Sequence, residues 1–106
     1  MRSVRLSAEH WPGVVASCAD TFQDRLLGIR ARDSKSAVLL ATRSVHSFGL
    51  NTPLRLVGLD KGMRVVGTRR LRPNRIAYIS GASFILELDE DTTAPRTGTR
   101  VEVSDV

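Results

Sequence analysis

A chain of 106 residues, 42% of them hydrophobic, has the size of one globular domain over residues 1–106 and is too short for two independent cores. Cys18 is the sole cysteine, which excludes an intrachain disulfide, and the scarcity of Cys and His argues against a zinc site; a reducing cytoplasm fits. The net charge of +5 is unevenly spread: twelve Lys and Arg stand against three Asp over residues 23–75, and two Arg against six acids over residues 76–106.

That basic middle either attracts polyanions or pairs with the acidic tail in the folded protein. Residues Met1 to Trp11 never assemble the apolar run of a signal peptide, and no uncharged stretch approaches the ~20 residues of a membrane helix. The expectation is a soluble, cytoplasmic protein with no membrane insertion.

In chain order, Val4 and Leu6 flank Arg5 as a short strand, Trp11-Pro12-Gly13 breaks it, and Val14 to Cys18 forms a second. Asp20-Thr21-Phe22-Gln23-Asp24 reads as a helix start. Phe22 and Leu26 share one face, and Gly28 is placed to end the helix. Ala37 to Ala41 suits a buried strand, and Ser44 to Gly49 a loop leading to Thr52-Pro53. Leu54 to Leu59 and Met63 to Val66 make a hairpin turning at Asp60-Lys61-Gly62, with Gly62 at the position that needs a positive φ. Pro73-Asn74 marks another turn. Ile76 to Ser80, Phe84 to Leu88 and a closing segment at Val101 and Val103 complete the pattern. The expected fold is α+β and β-rich: an antiparallel, barrel-like sheet of about seven short strands with one clear short helix.

The run from His46 through Ser47, Phe48, Gly49 and Pro53 to Leu54, followed by Leu59-Asp60-Lys61-Gly62-Met63-Arg64-Val65-Val66, resembles the central signature of domain-of-unknown-function family 192. Ala19-Asp20-Thr21 with Arg25 and Gly28, the strand Phe84 to Leu88, and Gly98 to Val103 are similar to its flanking segments. The likeness spans roughly residues 14 to 103. It departs at Arg55 and Thr99, where the family pattern has Asp, so no role of those carboxylates carries over. The resemblance implies a small β-rich fold and brings no activity, substrate or cofactor.

Arg43, His46 and Asn51 form the most chemically suggestive cluster, because imidazole titrates near neutrality and a guanidinium holds anions. A structural histidine in a loop is the plainer reading. Ser44 and Ser47 lack the elbow or triad that would make a nucleophile. Arg69, Arg70, Arg72 and Arg75 are suited to nonspecific anion contacts, or simply to a solvated turn, and no aromatic interleaving supports base stacking there. Asp89-Glu90-Asp91 lacks the spacing of a calcium loop. Cys18 in its apolar run is expected to be buried and unreactive, and Trp11 either covers one end of the core or, if exposed, anchors a partner. No cofactor or metal is expected. The favoured reading is a non-catalytic binding or accessory module that recognises a protein or small anionic ligand through loop 43–53. The alternative is a nucleic-acid-binding protein using residues 69–75, with an enzyme of unidentified class third.

Overall fold

Short apolar runs punctuated by Gly, Pro and Asp become strands, and the computed structural model, which describes residues 2–19 and 37–106, contains nine of them there. They are β1 (Arg2–Ala8), β2 (Trp11–Ala19), β3 (Ala37–Leu40), β4 (Ser44–His46), β5 (Leu54–Leu59), β6 (Val65–Leu71), β7 (Ile76–Tyr78), β8 (Phe84–Asp89) and β9 (Glu102–Asp105). Seven build one sheet in the order β6-β5-β8-β3-β2-β1-β9, while β4 and β7 pair as a separate two-stranded ribbon.

Three features correct the expected architecture. Among the described residues there is no helix, so the described fold is all-β rather than α+β; the expected helix at residues 20–28 lies outside the described residues. The sheet is mixed rather than antiparallel, because β2 and β3 run parallel with Ala16 opposite Ala37 and Ala19 opposite Leu40. A parallel pair needs a long connection, and residues 20–36 separate these two strands, whereas the short turns elsewhere favour antiparallel neighbours. The sheet is also not closed into a barrel. The segments just ahead of its edge strands β6 and β9 meet at an isolated Arg64–Arg100 bridge, with Val65 N–H to Thr99 carbonyl (2.9 Å), Gly98 N–H to Val65 carbonyl (2.8 Å) and Val101 N–H to Met63 carbonyl (2.8 Å). All four residues of β9 are exposed, so it has no apolar face whose burial would draw that edge shut.

The core forms two clusters. Val4, Leu6, Trp11, Ala16, Val57, Leu59, Leu86 and Leu88 belong to the larger, around which the sheet bends. Val38, Leu40, Leu54, Leu56 and Ile85 join Val45, Ala77 and Ile79 in the smaller, which seats the ribbon on the sheet. β5 and β8 thus bury both faces, and their near-continuous apolar sequences reflect it. Trp11 is buried over the larger cluster and its indole N–H donates to the Thr93 carbonyl at 2.6 Å. Cys18 is only half-buried, packed against the same cluster, which revises the expectation of full burial.

Two glycines are required by geometry. Gly13 has φ +85°, and a Cβ there would stand 2.4 Å from the Leu6 carbonyl oxygen, at the irregularity in the β1–β2 ladder. Trp11-Pro12-Gly13 therefore lies inside β2, and the reversal falls earlier, at Glu9-His10, where His10 has φ 60°. At Gly58 a Cβ would come within 2.5 Å of the Ile79 side chain, so the absence of one lets Ile79 reach the sheet.

The β5–β6 hairpin turns where the sequence places it, for a different reason. The positive φ falls on Met63 (65°) and not on Gly62. Asp60 organises the turn instead: its Oδ1 accepts the Gly62 and Arg64 N–H groups, both at 2.9 Å, and its carbonyl accepts Met63 N–H at 2.9 Å. A carboxylate that supplies these contacts removes the need for glycine at residue 62.

Candidate functional site

In the ribbon, β4 and β7 pair antiparallel with Ser44 opposite Tyr78, Val45 opposite Ala77 and His46 opposite Ile76. Side chains alternate across the strands, so Val45 and Ala77 point into the smaller core while Ser44, His46, Ile76 and Tyr78 share the outer face. The segment expected as a loop at residues 44–49 thus begins as a strand. Phe48 follows, its ring stacked on that of His46 with centroids 4.9 Å apart and planes 26° apart. His46 Nδ1 accepts the Phe48 N–H at 3.3 Å, which places any proton of the neutral ring on Nε2. The outer face therefore carries Phe48, Ile76 and Tyr78 at 53%, 68% and 52% exposure, three of the large apolar side chains the fold leaves in water.

One buried serine fixes this surface. Ser47 is 1% exposed. Its hydroxyl donates to the Arg72 carbonyl at 2.5 Å and accepts the Arg75 N–H at 2.9 Å. Its own N–H donates to the Arg75 carbonyl, and its carbonyl accepts Asn74 N–H and Leu50 N–H. Asn74, at φ 60°, accepts Gly49 N–H on its side chain at 3.4 Å. Ser47 thereby locks the turn at residues 72–75 against the loop that begins at Phe48. Two stretches far apart in sequence, 43–53 and 69–75, meet here.

The sequence-derived candidates divide accordingly. Arg43 lies just before β4, where its carbonyl accepts Ile79 N–H, and its side chain is exposed. His46 is on the outer face, Asn51 is exposed farther along the loop, and Arg72 and Arg75 are exposed on the docked turn. Arg69, on β6, donates from Nη1 to the Tyr78 carbonyl at 3.0 Å, which joins it to the ribbon edge. Arg70 does not join them. It opposes Arg55 on the other face of β6 and donates from Nε to Glu90 at 2.6 Å.

Sequence reasoning missed Phe48, Ile76 and Tyr78 as surface residues and Ser47 as a pin. Period-two alternation in Ile76-Ala77-Tyr78, with small Ala77 between large neighbours, was the available signal. It also missed Glu87, fully buried on β8 beside Val38 and Leu56; Glu87 and Asp89 both make a polar or electrostatic contact. Arg55 and Thr99 lie elsewhere. Arg55 lines a cleft of about 400 Å³ with Thr68, Thr92, Thr93 and Thr97, and Thr99 lines one of about 630 Å³ with Arg64 and Arg100. Among the described residues no group of three or more His, Cys, Asp or Glu could hold a metal ion, and no helix is long and apolar enough to cross a membrane.

The fold is shared with solved structures. A protein of unknown function from Novosphingobium aromaticivorans DSM 12444 matches at a TM-score of 0.72 and 15% identity, over 94% of this chain and 83% of that one. A candidate transcription regulator from Sinorhizobium meliloti 1021 matches at 0.70 and 16% identity, over 96% and 92%. At such identities the likeness is one of fold alone. No family model matches the chain, and neither does any curated protein.

Proposed function

We propose that this chain is a non-catalytic binding module whose β4–β7 ribbon takes an anionic partner. The observation that carries the reading is the outer face itself. The exposed Phe48, Ile76 and Tyr78 are bordered by Arg43, Arg69, Arg72 and Arg75, none of which is in an ion pair among the described residues. Guanidiniums on an open face attract polyanions from a distance, and neighbouring apolar groups add short-range contact. This reading unites the loop at residues 43–53 with the basic segment at residues 69–75, which the sequence presents as rival sites. Kinship with family 192 belongs to the same proposal, since the residues resembling its signature supply the end of β4, the loop after it and the turn of the β5–β6 hairpin. A cytoplasmic setting is likewise part of it.

Titration of the isotopically labelled protein with polyglutamate and with inorganic polyphosphate tests the reading. Amide shifts are expected to concentrate in residues 43–50 and 72–79, to weaken with salt, and to vanish in Arg43→Ala/Arg72→Ala/Arg75→Ala. Shifts centred instead on Arg64 and Arg100 would move the anion site to the other end of the sheet.

A further inference from the structure

The structure describes four aromatic side chains, and their distribution is uneven. Trp11 is buried, Phe84 is half-buried against the larger core cluster, and of the two exposed ones Tyr78 stands on the ribbon and Phe48 just past the end of β4. Between them lies His46, stacked on Phe48 and diagonal to Tyr78 across the two strands. A third ring therefore joins the surface. Cross-strand diagonals bring such side chains within about 7 to 8 Å, a step that a flexible single strand can match base by base.

From this juxtaposition, and resting on the anionic-partner reading above, we infer that the partner is a single-stranded nucleic acid. Its bases stack on Phe48 and Tyr78, and its phosphates are met by Arg43, Arg72 and Arg75. Both halves of such a ligand have a counterpart here. Unstacked bases offer π-faces that any exposed ring accepts, whatever the sequence, and the backbone offers a charge beside every base. Guanidiniums stand on both sides of the rings. Arg43 enters β4 opposite the Tyr78 end, and Arg72 and Arg75 sit on the turn that Ser47 holds beside Phe48. A duplex keeps its bases stacked inside and presents no ring face to a flat ribbon. An acidic peptide engages the arginines but gives the rings only the contact any apolar surface would.

The test measures fluorescence anisotropy of a labelled oligothymidylate of about ten nucleotides, within the usual range of single-strand sites. The same strand in a duplex and an acidic peptide containing leucines serve as comparisons. Phe48→Ala and Tyr78→Ala are each expected to weaken oligonucleotide binding between about fivefold and about 150-fold, the usual effect of losing one stacked base. Phe48→Leu, which keeps apolar bulk and removes the ring, should weaken it nearly as much, and Phe48→Tyr should restore it. Arg43→Ala/Arg72→Ala/Arg75→Ala should flatten the dependence of log affinity on log salt by about 2, as loss of three phosphate contacts to a single strand requires. Both rings are exposed, and thermal unfolding of each variant verifies that the fold is intact.

Equal affinity for strand and duplex, or indifference to Phe48→Leu and Tyr78→Ala, would overturn the inference. If the acidic peptide bound through the arginines while the oligonucleotide did not, the single-strand assignment would fall and the anionic-partner reading would stand. If none of the anions bound, both would fall.

Discussion

In the seven-stranded sheet, β5 and β8 bury apolar side chains on both faces, whereas the β4–β7 ribbon buries only Val45 and Ala77 and turns Ile76 and Tyr78 to water. The sheet is stabilised mainly by burial, a non-directional force that tolerates many sequences of the right pattern. The ribbon is too short for that, since two paired strands alone are marginal in water. It depends on directed bonds: the Ser47 hydroxyl to the turn at residues 72–75, Ile79 N–H to the Arg43 carbonyl, and the Arg69 guanidinium to the Tyr78 carbonyl. Stability resides in one region and the proposed binding face in the other, and the two join where Ile79 packs over Gly58.

The largest expected effect belongs to the sheet. Gly13→Ala would force a Cβ against the Leu6 carbonyl at a positive φ, and should cost about 3 kcal/mol, read as a lower midpoint of a single urea transition. A ribbon that lost structure before the rest would show instead that the two regions unfold separately. Ser47→Ala comes next, at about 2 kcal/mol, because it strands the Arg72 carbonyl and the Arg75 N–H. Its signature should be local: faster hydrogen exchange at Val45 and Ala77, with Val57 and Leu86 unchanged. Equal loss of protection at Leu86 would merge ribbon and sheet into one cooperative unit.

Gly62→Ala should stay within about 0.5 kcal/mol, whereas Met63→Gly relieves a left-handed residue but gives up the packing of Met63 on the larger core cluster, and should leave stability unchanged or lower it by up to about 1 kcal/mol. Thermal unfolding of the two variants checks the order. A large loss in Gly62→Ala would return the turn to the geometry its sequence first indicates. Smallest of all, Arg70→Ala should change stability by no more than about 0.5 kcal/mol, since its contact with Glu90 is half-exposed. It should leave oligonucleotide affinity nearly unchanged beside Arg72→Ala, because Arg70 faces away from the ribbon.

Strand positions were legible because the chain alternates or runs apolar wherever it must be buried: Leu54 to Leu59, Phe84 to Leu88 and Ala37 to Leu40 all appear close to where the pattern put them. Pairing was less so. The parallel β2–β3 contact depends on how distant strands dock, and four-residue β3 carries no mark of its direction. The Asp60 turn shows a correct position reached through the wrong residue: a Gly at residue 62 is visible, whereas a carboxylate that organises the backbone from residue 60 leaves no periodic trace. For the candidate site, Arg43, His46 and the basic turn were visible as chemistry, but their meeting was not, since it rests on one serine bonding a turn some 25 residues away.

β1 occupies the interior of the sheet only because β9 covers its outer side, with Val4 opposite Asp105 and Ser7 opposite Glu102. β1 therefore completes its ladder only when the strand at residues 102–105 docks beside the strand at residues 2–8, whereas the ribbon pairs residues 44–46 with residues 76–78, far closer in sequence. Were β9 displaced, the outer edge of β1 would lie open to other strands. Contacts of such long sequence separation also place this fold among the slow β topologies, in which the search for the final strand, rather than local turn formation, sets the time to reach the native state.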